Sequence, residues 1–445
     1  MNAVLRGLRV IDPARRTDIS PQDVWIESGR IRAIAPRINP DGVPVIDLTP
    51  PAGGDACVIC PAFMDLHAHL REPGDGRSED FESGARAAAH GGFSHVVAMA
   101  NTDPPIDTPD AVRDARRRAQ TERVTVLQVA AMTRGLRGSD VVDIKGCLDS
   151  GAVALSDDGR NAASVEVLTA ALSAAGEESR PVLVHPEDEH DVASLNPTAA
   201  SLLRAAERPS WIEERAVARA LSALRDAPRG RLHLQHISTK GSVKLLREAR
   251  EQGLDVTAEV TPHHIADWRG FDGVQPQLRK VNPPLRDEDD RIAVLDALRD
   301  GLIDAVATDH APHHADEKAR PFEDAAPGMI GLETALATCL THGSMSDGWM
   351  PVLVERLTTG PYRVMRDAPG VDEPRLCIGA LASSVVFDAQ AEWLVERTTL
   401  QSRSHNTPLL GTRIRGRVLL TLHAGRITFI DDSRLGMLQR EVAHA

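Results

Sequence analysis

Seven side chains in this 445-residue chain can bind a cation or move a proton and sit at the ends of short apolar runs: His67, His69, Asp157, Asp158, His185, His236 and Asp309. His67 and His69 lie two apart in AFMDLHAHL, so on an extended strand both imidazoles face the same way and one ion can meet both. Imidazole together with carboxylate is the ligand set of zinc and similar first-row ions that keep an open coordination position. Four histidines and two aspartates exceed the needs of one tetrahedral ion. The set suits two ions, which in such sites lie about 3.5–4 Å apart with one carboxylate between them. Asp157 and Asp158 are neighbours, and a regular strand turns only one of them toward the site. A lone histidine at a strand end is commonly a hydrogen-bonded structural residue, but such residues at successive strand ends form a joint pattern that packing does not call for. His90, His95, His190, His233, His405 and His423 lack that placement and read as structural. The directions of His263, His264, His310, His313 and His314 stay open.

The elements that must position these residues follow from the apolar periodicity. Eight short runs (AFMDLHAHL, FSHVVAMAN, VTVLQVAAM, AVALSDD, PVLVHPE, RLHLQHIS, DVTAEVTPHH and DAVATDHAP) alternate with helical stretches such as SGARAAAHG, TPDAVRDARRRAQ and SVKLLREAREQG. Repeated βα units of this number predict an α/β fold, a (β/α)8 TIM barrel over residues 58–380. In a parallel barrel the carboxyl ends of all strands converge on one face, which brings the polar run ends into one cavity. A doubly wound sheet is the rival architecture, but no G-x-G-x-x-G or Walker pattern follows any run. Both ends of the chain read as β hairpins. Glu27-Ser28-Gly29-Arg30 is a turn between alternating runs, and Gly425 marks another in RIRGRVLLTLHAGRITFIDD. Neither end is long enough to close a core, so residues 1–57 and 381–445 are expected to complete one small composite β-sandwich domain.

Composition narrows the function classes. Lys+Arg 51 against Asp+Glu 64 gives a net charge of −13, which disfavours nucleic acid as a ligand. No run approaches the roughly 18–20 apolar residues of a membrane span, and the start lacks a secretory apolar core, so a cytoplasmic protein is expected. Five cysteines suit a reducing compartment better than a disulfide framework. Cys57 and Cys60 form a C-x-x-C, but without a second pair it is a weak zinc or redox signal.

The motifs DLHAHLREPG (65–74), GGFSHVVAMANTDPPID (91–107), SDDG (156–159), VHPED (184–188), HISTKGSV (236–243), VTAEVTPHH (256–264), NPPLR (282–286) and ATDHAPHHADEK (307–318) resemble those of bacterial dihydroorotases of the amidohydrolase superfamily. The resemblance runs through nearly the whole central region. It implies a reversible, zinc-dependent closure of N-carbamoyl-L-aspartate to L-dihydroorotate in pyrimidine synthesis, with one or two zinc ions per subunit. Carried over residue by residue, it implies that His67, His69 and Asp309 hold one ion, that His185 and His236 hold a second, and that Asp158 bridges where many relatives use a carboxylated lysine. Asp309 is then the catalytic proton carrier. Substrate contacts are implied for His69, Arg71, Asn101, Asn282 and His313, with the backbone of Pro327 and Gly328 closing over the ring. A guanidinium agrees with a carboxylated substrate. The bland alternative for Arg71 is a surface ion pair with Glu72 or Glu79. The family likeness also implies a homo-oligomer and a partnership with aspartate transcarbamoylase, with no nucleic-acid or membrane partner. Allantoinase or dihydropyrimidinase activity, or a barrel kept as an inactive scaffold, are the competing readings.

Overall fold

A computed structural model describes residues 1–49, 57–121, 123–187, 209–269, 275–343 and 348–431. His190 lies outside them.

Strands β1 (Ala3–Asp12), β2 (Thr17–Glu27), β3 (Arg30–Ala35), β4 (Val45–Asp47) and β5 (Val58–Pro61) come first along the chain. The predicted turn between β2 and β3 forms because Ser28 and Gly29 both take positive φ, 50° and 74°, as a two-residue hairpin with native twist requires. At the other end of the chain, β13 (Ser384–Leu394), β14 (Arg413–His423) and β15 (Arg426–Ile430) pair antiparallel, and Ala424 and Gly425 make a turn of the same kind. These eight strands share one sheet in the order β15-β14-β13-β5-β1-β2-β3, with β4 beside β1. The two hairpin turns touch: a Cβ on Gly29 would lie 2.6 Å from the Gly425 carbonyl oxygen. One apolar cluster, including Leu5, Leu8, Ile26, Ile59, Val386 and Leu422, is buried by strands from both ends. Cys57 and Cys60 are both buried and form no disulfide with each other, and burial pushes the Cys60 thiol well above its usual pKa.

Between these segments run short parallel strands: β6 (Phe63–Ala68), β7 (Phe93–Ala98) and β8 (Thr125–Gln128) in one sheet, and β9 (Val182–Val184), β10 (Leu232–Leu234), β11 (Val256–Val260) and β12 (Ala305–Val306) in another. Isolated parallel bridges Ala130↔Leu155, Leu155↔Val182 and Ala68↔His310 link the two. The fourth apolar run therefore differs from expectation. AVALSDD bridges its neighbours only at Leu155, although Val153 N and Ser156 N donate to the Gln128 and Ala130 carbonyls and Leu155 O accepts from Leu183 N; beyond it the Asp157 side chain accepts the amides of Met132 and Thr133.

Alanine-rich helices fall where the periodicity places them. Phe81–His90 opens on a capping box between Asp80 and Ser83 and buries Phe81, Ala85, Ala88 and Ala89. It ends at Gly91, where a Cβ would lie 2.1 Å from the Leu332 carbonyl oxygen. Ala335–His342 and Thr359–Met365 are helices the sequence reading lacked, since they bury most of their surface and show little amphipathic stripe.

His95, near the start of β7, is held structurally, as expected. It packs edge-on to His423 at 5.5 Å, and Ser94 Oγ lies 2.9 Å from its Nδ1. Burial and the neighbouring imidazole push its pKa down to about 4. Between pH 6.5 and 4 the unfolded chain then binds a proton that the folded chain refuses, so this contribution to stability is full above 6.5 and is lost as pH falls toward 4. The loss amounts to at most about 3 kcal/mol for a shift of this size. Urea midpoints measured from pH 7.5 to 4 should fall accordingly, and His95→Leu should flatten the slope. An unchanged slope in that variant would assign the acid sensitivity elsewhere.

Candidate active site

β6 is buried along its whole length and delivers His67 and His69 to the carboxyl end of the parallel strands, their rings 5.3 Å apart. The chain turns sharply there. Arg71, His236 and Asp309 all have positive φ (56°, 29° and 44°), a conformation that costs L-residues of order 1–3 kcal/mol and clusters at functional sites. Buried hydrogen bonds hold the turn at Asp309 in place: Thr308 donates from N and Oγ1 to the two oxygens of Asp65, at 2.7 and 2.6 Å. Burial raises the Asp65 pKa to about 7, against those same hydrogen bonds.

Asp309 Oδ1 lies 3.1 Å from His69 Nε2 and 3.6 Å from His67 Nε2. Asp158 reaches into the same space, with its oxygens 3.3 Å from His67 Nε2, 3.4 Å from His69 Nε2, 3.5 Å from His185 Nδ1 and 4.0 Å from His236 Nε2. Two groups, His67/His69/Asp309 and His67/Asp158/His236, each bring their ligand atoms within 4.8 Å of one another. His185 Nδ1 stands 2.9 Å from His236 Nε2. All six sequence-derived ligand candidates thus meet, while Asp157 turns away to Met132 and Thr133.

The donor set fits a metal ion. His67 Nε2 and Asp158 Oδ1 are buried and make no hydrogen bond, although such groups almost always find a partner or an ion. The opposite nitrogens of the first two imidazoles are engaged: His67 Nδ1 is 2.9 Å from Glu259 Oε1, and His69 Nδ1 is 2.9 Å from Asn101 Oδ1. An N–H donated to each oxygen leaves both Nε2 lone pairs facing the carboxylates, the orientation of a metal-binding histidine. Electrostatics agrees. Burial opposes ionisation of Asp158, yet His67, His185 and His69 outweigh it and hold the carboxyl well below the usual range. Burial likewise disfavours a charged His67, and Asp158 and Asp309 override it, pushing its pKa well above normal. His236 goes the other way, driven down by burial and by His185 and His67.

Arg71 makes neither of the surface pairs considered for it. Its Nε donates to the Pro312 carbonyl at 3.1 Å and its guanidinium lies 3.3 Å from His313 Nε2. Asn101 Nδ2 donates to Asp158 Oδ2 at 3.2 Å, so it braces two ligand candidates, His69 and Asp158. Asn282 is half-buried and precedes a cis bond to Pro283, whose carbonyl lies 3.0 Å from His264 Nε2. His264 is thereby a structural residue, as is His310 between Glu79 and the Gly331 amide. His314 caps a short helix.

Sequence reasoning missed Glu259, which bridges His67 Nδ1 and His233 Nε2 at 2.9 and 3.0 Å. Its signal was a glutamate inside the apolar run VTAEV, a residue that buries only when paired. Glu259→Ala should remove the carboxylate that orients His67, leaving Gln235 Nε2 at 3.2 Å from Nδ1, and weaken metal binding roughly 10–100-fold, the usual cost of losing such a partner. Competition with a chromophoric chelator measures this; unchanged affinity would make the contact a packing feature alone.

The whole chain shares its fold with solved hydantoinases. An L-hydantoinase (dihydropyrimidinase) from Arthrobacter aurescens superposes with a TM-score of 0.78 at 24% identity, covering 96% of this chain and 95% of that one. A D-hydantoinase gives 0.81 at 20% identity, covering 97% and 96%. A family model described as dihydro-orotase-like matches residues 56–241. That fold gathers imidazoles and carboxylates at the strand ends in groups able to hold a metal ion, and the sequence relatives make the chain a cyclic amide hydrolase. Sequence relatives narrow the class: dihydroorotase of Anaeromyxobacter dehalogenans is 41% identical over 96% of this chain and 98% of its own, and that of Aquifex aeolicus is 34% identical over 97% and 100%. The chain belongs to the dihydroorotase family.

Proposed function

We propose that this chain opens and closes the ring of L-dihydroorotate, interconverting it with N-carbamoyl-L-aspartate in pyrimidine biosynthesis, at the cluster of His67, His69, Asp158, His185, His236 and Asp309. The observation that carries the reading is the convergence of these buried ligand atoms beside the Arg71 guanidinium. The bridges at Leu155 and His310 support a closed eight-stranded barrel around the site. The mixed sheet supports a composite β domain of the terminal segments, with Val58–Pro61 on its side of the boundary.

Zinc would suit this donor set: His67, His69 and Asp309 would hold one ion, and His185, His236 and Asp158 would hold a second. When bound, such ions polarise a carbonyl and lower the pKa of water toward about 7. The protein's own groups do the rest. Asp309, ionised at neutral pH, takes the proton of the attacking water on its carboxylate and delivers it to the departing ring nitrogen; ring closure runs the same path backwards. Arg71 pairs with the substrate carboxylate, and Asn101, Asn282, His313 and the Pro327-Gly328 backbone position the ring. No helix among the described residues is long and apolar enough to cross a membrane, in keeping with a cytoplasmic enzyme. A homo-oligomer and docking to aspartate transcarbamoylase belong to the same reading.

A substrate panel tests it. L-dihydroorotate should be turned over in strong preference to dihydrouracil and hydantoin, which lack the carboxylate. Arg71→Ala should cut kcat/KM for the carboxylated ring on the order of 10–100-fold, the worth of a charge-assisted hydrogen bond, and leave the uncharged rings unaffected. Equal losses on all three substrates would remove Arg71 from substrate recognition.

A further inference from the structure

The segment 326–328 is fixed by its carbonyls. Lys318, a buried lysine, donates from Nζ to the carbonyls of Ala326 and Gly328 at 2.8 and 2.9 Å. His313 Nε2 lies 2.8 Å from the carbonyl oxygen of Pro327. Asn406, from the connection between β13 and β14 far along the chain, completes the clamp. Asn406 is 4% exposed and uses every polar atom of its side chain: Nδ2 donates to the Ala311 carbonyl at 2.9 Å and to the Gly328 carbonyl at 3.1 Å, while Oδ1 accepts the His313 amide at 3.1 Å. Its own carbonyl accepts the amide of Ile330 at 3.1 Å. Gly328 has φ +129°, and a Cβ there would lie 2.6 Å from the Ala311 Cβ, so the segment runs in a conformation open to glycine and against the loop that carries His313.

We infer that Asn406 is a positioning residue for substrate binding: it locks the loop of Ala311–His313 to the segment 326–328, so that His313 and the Pro327-Gly328 backbone present one rigid wall to the ring. The inference rests on the reading of those residues as substrate contacts. Asn406 touches none of the six ligand candidates in any hydrogen bond among the described residues, so its effect separates from metal binding. A buried amide that satisfies two carbonyls and one amide from two different loops fixes their relative position more strictly than apolar packing does. A wall made of main chain has no side-chain rotamers to reorganise, so its precision depends on such anchors.

Steady-state kinetics of the zinc-loaded enzyme tests this. Asn406→Ala is expected to raise KM for L-dihydroorotate roughly tenfold or more, with kcat within about threefold and bound metal unchanged, because a loosened wall weakens binding and leaves the proton carrier in place. Misfolding of a fraction of the protein would lower apparent kcat and leave KM alone. Unchanged KM, or loss of metal, overturns the inference. Asn406→Asp keeps the acceptor for the His313 amide but turns an oxygen toward the two carbonyls, and it should raise KM as the alanine variant does. Lys318→Met, which removes the other donor to the Gly328 carbonyl, should shift KM in the same direction and carries the test if neither Asn406 variant folds. Arg71→Ala is measured beside them. If it raises KM and the Asn406 and Lys318 variants do not, the positioning role fails alone; if it too leaves KM unmoved, the substrate reading beneath it fails.

Discussion

Asp309→Asn is expected to fold, to keep His67 and His69 in place and to lose turnover by roughly 10²–10⁴-fold, the range that general acid–base groups contribute. The amide is nearly isosteric, so the strained turn at φ 44° and the bonds between Thr308 and Asp65 survive. An amide carries no proton between water and a ring nitrogen. The loss should therefore appear equally in kcat and in kcat/KM, in both directions of the reaction, since hydrolysis and ring closure share one transition state. Metal content must be measured on the same sample, because Asp309 also faces both Nε2 atoms and its replacement weakens their ion. A variant that retains metal and near-normal rate would remove Asp309 from proton transfer.

Stripping metal with a chelator should abolish measurable turnover, and zinc should restore it. Stability should fall as well. An ion present at a thousand times its dissociation constant stabilises the folded chain by about 4 kcal/mol, and that contribution goes when the ion goes. Removing the ion leaves the buried carboxylates of Asp158 and Asp309 without its compensating charge, so the stripped protein should also unfold at a lower temperature. Thermal melts with and without zinc, alongside the ring-closure assay and elemental analysis, read all of this together. Full activity at negligible metal content would overturn the metal assignment.

Much of this architecture is legible in the residues because its signals are local. The hairpin at Ser28-Gly29 follows from two residues that tolerate positive φ between alternating runs. The capped alanine-rich helices follow from period and caps. His67 and His69 share a face because strand side chains alternate. Where the reading failed, a long-range contact decided the outcome. AVALSDD has the composition of a strand but bridges its neighbours only at Leu155, and beyond it the Asp157 side chain is captured by the amides of Met132 and Thr133. The choice between Asp157 and Asp158 was made by the same capture. Glu259 and Asn406 are distant in sequence from what they hold, 192 residues from His67 and 93 from His313, so no spacing rule reaches them.

The sequence by itself determined the types of the ligand candidates, their order along the chain and the strand ends that carry them, since each depends on a few neighbouring residues. Only the tertiary structure decided what occupies Asp157, that Glu259 and Asn101 orient the two imidazoles, and that Asn406 and Lys318 bind the segment 326–328. Those are contacts between segments far apart in the chain, and they exist only once burial removes water as the competing partner and leaves each polar atom to find another.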